Sequence, residues 1–272
     1  MTGRRERSLY PWSVLILLPP SEGKDVPRRG RPLDLSALSF PDLTGARARV
    51  LDALVDLCSG DPGLAARTLG VGPTQADLVQ LNARLPDAPA ARADRVYAGV
   101  LYDALGAGTL STAAKRRLAT RVAVTSSLFG LVRAGDRIPA YRLSGDAVLP
   151  GVGPVAGVWR EALGPAPTAA VGDGLLVDLR STMYAAFWRP PAELAAQVAT
   201  VRVLHEANGK RQVVSHFNKA TKGRIVRALL EDGGNPRTPG ALADLLVALG
   251  WKVEVGTPTR RGTQLDVVVS EI

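Results

Sequence analysis

Three basic motifs in this sequence carry side chains suited to binding anions. The first is Pro19-Pro20-Ser21-Glu22-Gly23-Lys24, where Gly23 permits close approach to the backbone and Lys24 supplies positive charge. The motif lacks the first glycine of the Walker A pattern, so it does not indicate ATP hydrolysis. We interpret it as an anion-binding loop.

The second motif places hydroxyl groups ahead of arginines. Its polar members are Thr125, Ser126, Ser127, Arg133, Tyr141 and Arg142. A guanidinium binds phosphate or carboxylate through two parallel hydrogen bonds, so the segment predicts recognition of one of these anions. The alternative is a strand-to-helix turn with solvated arginines.

The third motif extends from Arg211 to Arg227 and reads as a strand followed by a basic helix. At helical spacing, Lys219, Lys222 and Gly223 share one face. Gly223 lacks a side chain and so allows close approach of another backbone or a ligand. A solvated basic face is the alternative interpretation.

A possible phosphate-binding turn lies at Gly70-Val71-Gly72, between two short helical patterns. Two glycines allow a sharp turn that brings backbone N–H groups to a phosphate, as in a helix-hairpin-helix. The alternative is that Gly70 and Gly72 merely separate two helices.

The net charge is concentrated in two segments. The chain has 34 Lys and Arg against 25 Asp and Glu, a net charge of +9. Lys115–Arg142 and Arg202–Arg227 each carry seven basic residues and one acid, so each has +6 and the remainder has −3. This distribution predicts a focused site for a polyanion, which we interpret as a cleft lining.

Composition argues against a metal site and a membrane span. With one cysteine and two histidines, the chain cannot assemble a sulfur or imidazole cluster of metal-ligand spacing, and no cofactor is indicated. A carboxylate-based metal site is the alternative, and no motif supports it. Cys58 lies on the apolar face of a predicted helix. No apolar run approaches the roughly 20 residues of a bilayer span, and the short run Val14–Leu18 reads as a buried strand. We therefore expect a cytoplasmic protein.

Elements that would position these motifs alternate between strands and helices. The predicted strands are Val14–Leu18, Val122–Thr125, Leu175–Leu179, Val201–Leu204, Gln212–His216 and Leu265–Val269. The predicted helices are Ala46–Ser59, Pro62–Leu69, Thr74–Arg84, Ala91–Leu105, Ala192–Ala199, Asn218–Leu230 and Pro239–Leu249. The fold class is mixed α/β, a single compact body over residues 13–272, with a helical excursion at about 60–105 and a basic tail at 1–12.

Five blocks, in order along the chain, resemble the YaaA peroxide-stress protein family. They are Leu17–Lys24, Val96–Val100, Ser126–Arg133 with Tyr141–Leu143, Val177–Tyr184, and Val213–Lys219 with Lys222-Gly223. The resemblance implies an α/β body with a helix-hairpin-helix and a basic cleft, binding of single- or double-stranded DNA, and protection against peroxide by limiting iron-dependent damage.

Carried over from the resemblance, the cleft positions of this chain are Lys24, Tyr97, Arg133, Tyr141, Arg142, Ser181, Ser215, Lys219 and Lys222. The hairpin is Gly70-Val71-Gly72. The first hypothesis is a DNA-binding protein of the oxidative stress response. The second is an enzyme acting on a nucleotide or small anion in the same cleft, with a lysine as base or Schiff-base nucleophile. Direct iron sequestration, a third reading, is disfavoured because ligand clusters are absent.

Overall fold

The structure is a computed structural model, in which apolar runs of the sequence form the central strands. It describes residues 14–207, 210–213 and 215–270, with the backbone alone at 73, 210 and 215–217. The predicted tail at 1–12 lies outside these residues. The strands are β1 (Leu15–Leu18), β2 (Ala91–Arg92), β3 (Val122–Ser126), β4 (Gly130–Arg133), β5 (Arg137–Ile138), β6 (Val148–Leu149), β7 (Gly153–Pro154), β8 (Leu176–Asp178), β9 (Val198–Ala207), β10 (Lys210–Gln212), β11 (Lys252–Val255) and β12 (Thr263–Val269).

Helices cover this sheet and link its strands. They are α1 (Thr44–Ser59), α2 (Pro62–Leu69), α3 (Asp77–Ala83), α4 (Ala93–Val96), α5 (Val100–Leu105), α6 (Thr112–Arg121), α7 (Val155–Ala162), α8 (Ala166–Val171), α9 (Thr182–Ala185), α10 (Ser215–Asp232) and α11 (Pro239–Ala248). Short 3-10 turns include Pro73–Gln75 and Ala192–Gln197.

The main sheet has the order β11-β12-β9-β8-β1-β3-β4, and β10 pairs with β9. The run β12-β9-β8-β1-β3 is parallel, whereas β4 and β11 add antiparallel edges. Strands β1, β3 and β8 are buried along their whole length, which explains why they read as short apolar runs. The predicted mixed α/β class and single body are confirmed.

Helix α10 packs directly against α5 through Gly223. A Cβ placed at Gly223 would lie 2.2 Å from the carbonyl oxygen of Leu101 and 2.9 Å from the Cβ of Ala104. No side chain fits at that distance, so the glycine is required for this crossing. The close approach predicted at Gly223 is made by a backbone and not by a ligand.

Three element predictions are wrong: the helix over Ala91–Leu105, the strand over Gln212–His216, and the helix over Ala192–Ala199, which is a 3-10 turn followed by β9 from Val198. The helix predicted over Ala91–Leu105 is divided into β2, α4 and α5, because Tyr97 forms a β-bridge with Lys24 and Gly99 has a φ of 93°. The strand predicted over Gln212–His216 ends at Gln212, and α10 begins at Ser215. In the first case, pairing with a distant loop overrides a helical periodicity.

A buried arginine fixes the turn between β3 and β4. Arg47 of α1 is fully buried, and its Nε donates a hydrogen bond to the carbonyl of Phe129 at 3.0 Å. Its Nη2 donates to the carbonyls of Ser39 and Leu131 at 2.6 and 2.8 Å. Burial lowers the pKa of Arg47 to about 10, and the charge of Asp136 opposes that shift.

Candidate functional site

The candidate site lies where β1, β3 and β8 end. These strands are parallel neighbours, so the loop Pro19–Lys24, the residues Ser126 and Ser127, and the residues Asp178–Arg180 meet at one edge of the sheet. Strand β1 lies between β3 and β8 in the sheet. The chain adds β3 on one side of β1 and later adds β8 and β9 on the other side. Such a change of direction opens the crevice in which α/β proteins bind ligands.

Lys24 is anchored by its own loop. Its Nζ donates a hydrogen bond to the carbonyl of Ser21 at 2.6 Å, and the Ser21 hydroxyl donates to the carbonyl of Gly23 at 2.6 Å. The same hydroxyl accepts a hydrogen bond from the backbone N–H of Ala98 at 3.2 Å. The loop predicted to bind anions is therefore joined to the segment that contains Tyr97.

The Lys24 ammonium lies over two tyrosine rings. Nζ is 4.1 Å from the centroid of the Tyr141 ring and 5.6 Å from that of Tyr97. Burial lowers the pKa of Lys24 to about 7; the charge of Glu22 opposes this shift and that of Arg142 adds to it. At neutral pH the amine therefore exists in both its charged and its neutral form.

A chain of hydroxyl groups lies beneath Lys24. The Tyr141 hydroxyl is 2.8 Å from Ser126 Oγ and 3.2 Å from the Tyr97 hydroxyl. Burial raises the pKa of Tyr97 and of Tyr141 well above the ordinary value, so both phenols stay protonated. Tyr102 stacks on Tyr97 with centroids 5.3 Å apart, and its hydroxyl donates to the carbonyl of Pro19 at 2.6 Å. These hydroxyls are hydrogen-bonded within the fold, and those of Ser126, Tyr97 and Tyr141 are buried, so they form the base of the site beneath Lys24.

Arg142 reaches the same edge from the segment after β5. Its backbone N–H donates to Asn82 Oδ1 at 2.9 Å, and its carbonyl accepts from Asn82 Nδ2 at 2.7 Å. Its guanidinium forms an ion pair with Glu22 through Nη1. Among the described residues, its buried Nε has no hydrogen-bond partner. One side of this guanidinium is thus available for further hydrogen bonding.

Lys222 and a buried ion pair hold the end of β8. Lys222 Nζ donates to the carbonyl of Leu179 at 3.0 Å, and burial lowers its pKa while the charge of Asp178 opposes the shift. Arg180 binds Asp178 through two hydrogen bonds of 2.9 and 2.7 Å. Lys222 and Arg180 are therefore both hydrogen-bonded within the protein. We interpret Lys222 as a residue that positions the end of β8 and not as one that binds a ligand.

The other predicted cleft residues differ in position. Ser181 is exposed at the start of α9, at the same edge as Lys24, and Lys219 is exposed on α10 one turn before Lys222. Ser215 begins α10, and its side chain lies outside the described residues. Arg133 pairs with Ala123, at the beginning of β3, so it lies at the opposite edge of the sheet and is not brought together with Lys24.

Several arginines of the two basic segments are bonded within the fold. Arg117, Arg121 and Arg227 donate hydrogen bonds to carbonyls of Leu230, Gly234 and Leu105 respectively. Arg202 pairs with Asp266 and Arg211 with Glu206 on the exposed face of β9. Most of the excess charge that the sequence concentrates in these segments therefore stabilises helix ends and sheet neighbours.

The Gly70–Gly72 turn joins α2 to α3. Gly70 ends α2 with a φ of 61°, which favours glycine, whereas Gly72 has an ordinary φ of −82°. A groove of about 530 Å³ lies beside the turn, with Arg67 and Asp77 in its lining. Asn82, on α3, connects this helix to Arg142, so the turn and the Lys24 loops belong to one connected structure.

Several site residues were not predicted from the sequence, although some lay within its motifs. Glu22 lies in the first motif, but the sequence predicts an anion-binding role only for Gly23 and Lys24 in that loop. Asn82 and Tyr102 occupy helices without a local pattern that distinguishes them from surface or core residues. Tyr184, on α9, contributes a buried phenol whose pKa is raised chiefly by burial.

The chain was compared with known proteins. The family model described as "Peroxide stress protein YaaA" matches residues 14–254. The chain belongs to the YaaA peroxide stress family. A UPF0246 protein of Streptomyces coelicolor is 49% identical over 261 residues, covering 95% of this chain and 100% of the relative. A UPF0246 protein of Corynebacterium efficiens is 41% identical over 244 residues, covering 89% and 95%.

Two further findings concern this YaaA-family chain. Within the part that the structure describes, no helix is both long and apolar enough to cross a bilayer. No group of three or more His, Cys, Asp or Glu side chains in that same part is arranged to hold a metal ion.

Proposed function

We propose that this protein acts in peroxide defence by binding DNA through its phosphate backbone. The supporting observation is that Lys24 and Arg142 converge at the ends of β1 and β3, beside hydroxyl donors that stay protonated. Cations and neutral donors together are the groups that bind phosphate oxygens. Bound DNA is shielded from iron-dependent oxidation, which links binding to protection.

Anion binding and the charge state of Lys24 are coupled in this proposal. A nearby phosphate favours the charged form of the amine and raises its pKa above about 7. Binding therefore takes up protons near neutral pH. The turn at Gly70–Gly72 carries no part of this proposal, because the N–H groups of Gly70 and Val71 donate to carbonyls of α2 and Pro73 has no N–H.

The test is fluorescence anisotropy with labelled single-stranded and duplex oligonucleotides between 50 and 200 mM salt. We expect affinity to fall steeply with salt, because each neutralised phosphate releases counterions. The double variant Arg142→Ala with Lys219→Ala is expected to bind more weakly and to reduce the salt slope by about 0.7–0.9 per lost contact. Lys252→Ala, an exposed lysine on β11, is the control. Binding indifferent to salt or to the double variant contradicts the proposal.

A second candidate function is supported by the pKa of Lys24 alone. The neutral amine is a nucleophile, and a neighbouring aldehyde, such as the opened sugar of an abasic site, is a suitable acceptor. The Nζ nitrogen adds to the carbonyl carbon, the carbonyl oxygen leaves as water with the two protons of the amine, and uptake of one proton from solvent leaves an iminium. Borohydride, by donating a hydride, converts this iminium into a stable amine.

Borohydride trapping with abasic-site DNA tests the second candidate. We expect a covalent adduct with the wild type and none with Lys24→Arg, which keeps the positive charge but is protonated at neutral pH. DNA binding by Lys24→Arg is measured in parallel. Absence of an adduct in the wild type, with DNA binding intact, eliminates the lysine-nucleophile enzyme and leaves the binding function.

A further inference from the structure

Glu22 is the acidic residue of the loop Pro19–Lys24, on the solvent side of the candidate site. It lies two residues before Lys24, and its Oε2 contacts Nη1 of Arg142. The Glu22 side chain is 53% exposed and that of Arg142 is 19% exposed. The ion pair therefore lies at the boundary between the site and solvent, where an entering ligand meets it first.

Arg142 is held in place independently of Glu22. Both its backbone N–H and its carbonyl are bonded to Asn82, which is fully buried. The base of the arginine side chain is therefore fixed by α3, whereas Glu22 belongs to an exposed loop. We therefore expect Glu22 to be the partner that moves when the pair separates.

The charge of Glu22 also acts on two neighbours of Arg142. It opposes the lowering of the Lys24 pKa, and it contributes to the raised pKa of Tyr184. One carboxylate thus faces the ammonium, the guanidinium and a phenol, which are the groups suited to an anionic ligand. A carboxylate and a phosphate make the same kind of charge-assisted hydrogen bond to a guanidinium.

We infer that Glu22 occupies the ligand's place on Arg142 and lowers the affinity with which anions bind at the site. An oxyanion binds by displacing the carboxylate, and partly exposed ion pairs contribute little net stability, so displacement costs little. Because Glu22 is attached to the loop, it competes at Arg142 with every entering anion and lowers the affinity of each by a modest factor. The inference rests on the proposed function only in taking a DNA phosphate as the natural ligand.

The variant Glu22→Gln tests the inference, with Asp25→Asn as a matched control. Asp25 is exposed in the same stretch of chain, and its substitution changes the net charge by the same amount. Two probes are used: a labelled single-stranded oligonucleotide, and inorganic pyrophosphate measured by calorimetry. We expect Glu22→Gln to bind both roughly three- to tenfold more tightly than wild type and Asp25→Asn to match wild type more closely.

A double-mutant cycle locates the effect. In an Arg142→Gln background, the gain from Glu22→Gln should disappear, because the carboxylate no longer competes for a guanidinium. The inference is overturned if Asp25→Asn produces the same gain, if the gain survives without Arg142, if Glu22→Gln binds pyrophosphate no better than wild type, or if no variant binds pyrophosphate. Loss of oligonucleotide binding alone, with the pyrophosphate gain intact, overturns the DNA function and leaves the role of Glu22 standing.

Discussion

The Lys24 ammonium lies 4.1 Å from the centroid of the Tyr141 ring, although 117 residues separate the two along the chain. The contact joins the loop after β1 to the segment that follows β5. Burial at this position lowers the pKa of Lys24 to about 7, whereas the attraction of the cation to the rings acts in the opposite direction.

Lys24 is expected to react with an amine-specific acylating reagent near neutral pH. Only a neutral amine reacts, and burial lowers the pKa of Lys24 to about 7, so lowering the pH below 7 protects it. At pH 7.5 roughly three quarters of Lys24 is neutral, against about one in a thousand for a lysine with an ordinary pKa. Peptide mass spectrometry across pH 5–11 should give an inflection near pH 7 for Lys24.

The exposed Lys115 provides the internal comparison for that experiment. Both lysines are followed in the same digest, which removes differences in reagent concentration. A Lys24 profile that coincides with that of Lys115 contradicts the buried environment between the two tyrosines.

Arg47→Met should destabilise the protein by about 3 kcal/mol or more. The substitution leaves the carbonyls of Ser39, Phe129 and Leu131 without their donor, and buried polar groups without partners are costly. Urea unfolding measures the change in the free energy of unfolding. Arg49→Met, at an exposed position of the same helix, should change it by less than about 0.5 kcal/mol. Equal effects from the two variants would mean that the buried bonds contribute no net stability.

Gly223→Ala should be destabilising because no space exists for its Cβ. The new atom would lie 2.2 Å from the Leu101 carbonyl oxygen, so α10 must move away from α5, at a cost of about 1–3 kcal/mol or more. Gly240→Ala in α11 meets nothing within 4 Å and should stabilise by about 0.5–1 kcal/mol. Thermal unfolding of both variants measures the difference. A Gly223→Ala protein as stable as wild type contradicts the close crossing.

The central strands can be predicted from the sequence because β1, β3 and β8 are buried on both faces and their sequences are therefore continuous apolar runs. Parallel strands then bring the loop of Lys24 and the serines after β3 to one edge. Local patterns of this kind establish which segments meet at the candidate site.

Contacts between residues far apart in the sequence account for the features that the sequence does not predict. Arg133 follows Ser126 by seven residues, yet β4 reverses direction and places it at the opposite edge of the sheet. Tyr97 interrupts a helical periodicity because it pairs with Lys24. Arg47 is indistinguishable by type from a surface arginine until the turn between β3 and β4 is folded over it.

Asn82→Ala should weaken both stability and DNA binding, because Asn82 is the connection between α3 and Arg142. Removing its side chain leaves the Arg142 N–H and carbonyl without partners, at a cost of about 2 kcal/mol. The guanidinium then loses its fixed base, and we expect roughly fivefold weaker oligonucleotide binding by protein that is still folded. Urea unfolding and anisotropy measure the two quantities, and Gln80→Ala, exposed on the same helix, serves as the control. Reduced stability with unchanged affinity would show that α3 and its turn do not position Arg142 for the ligand.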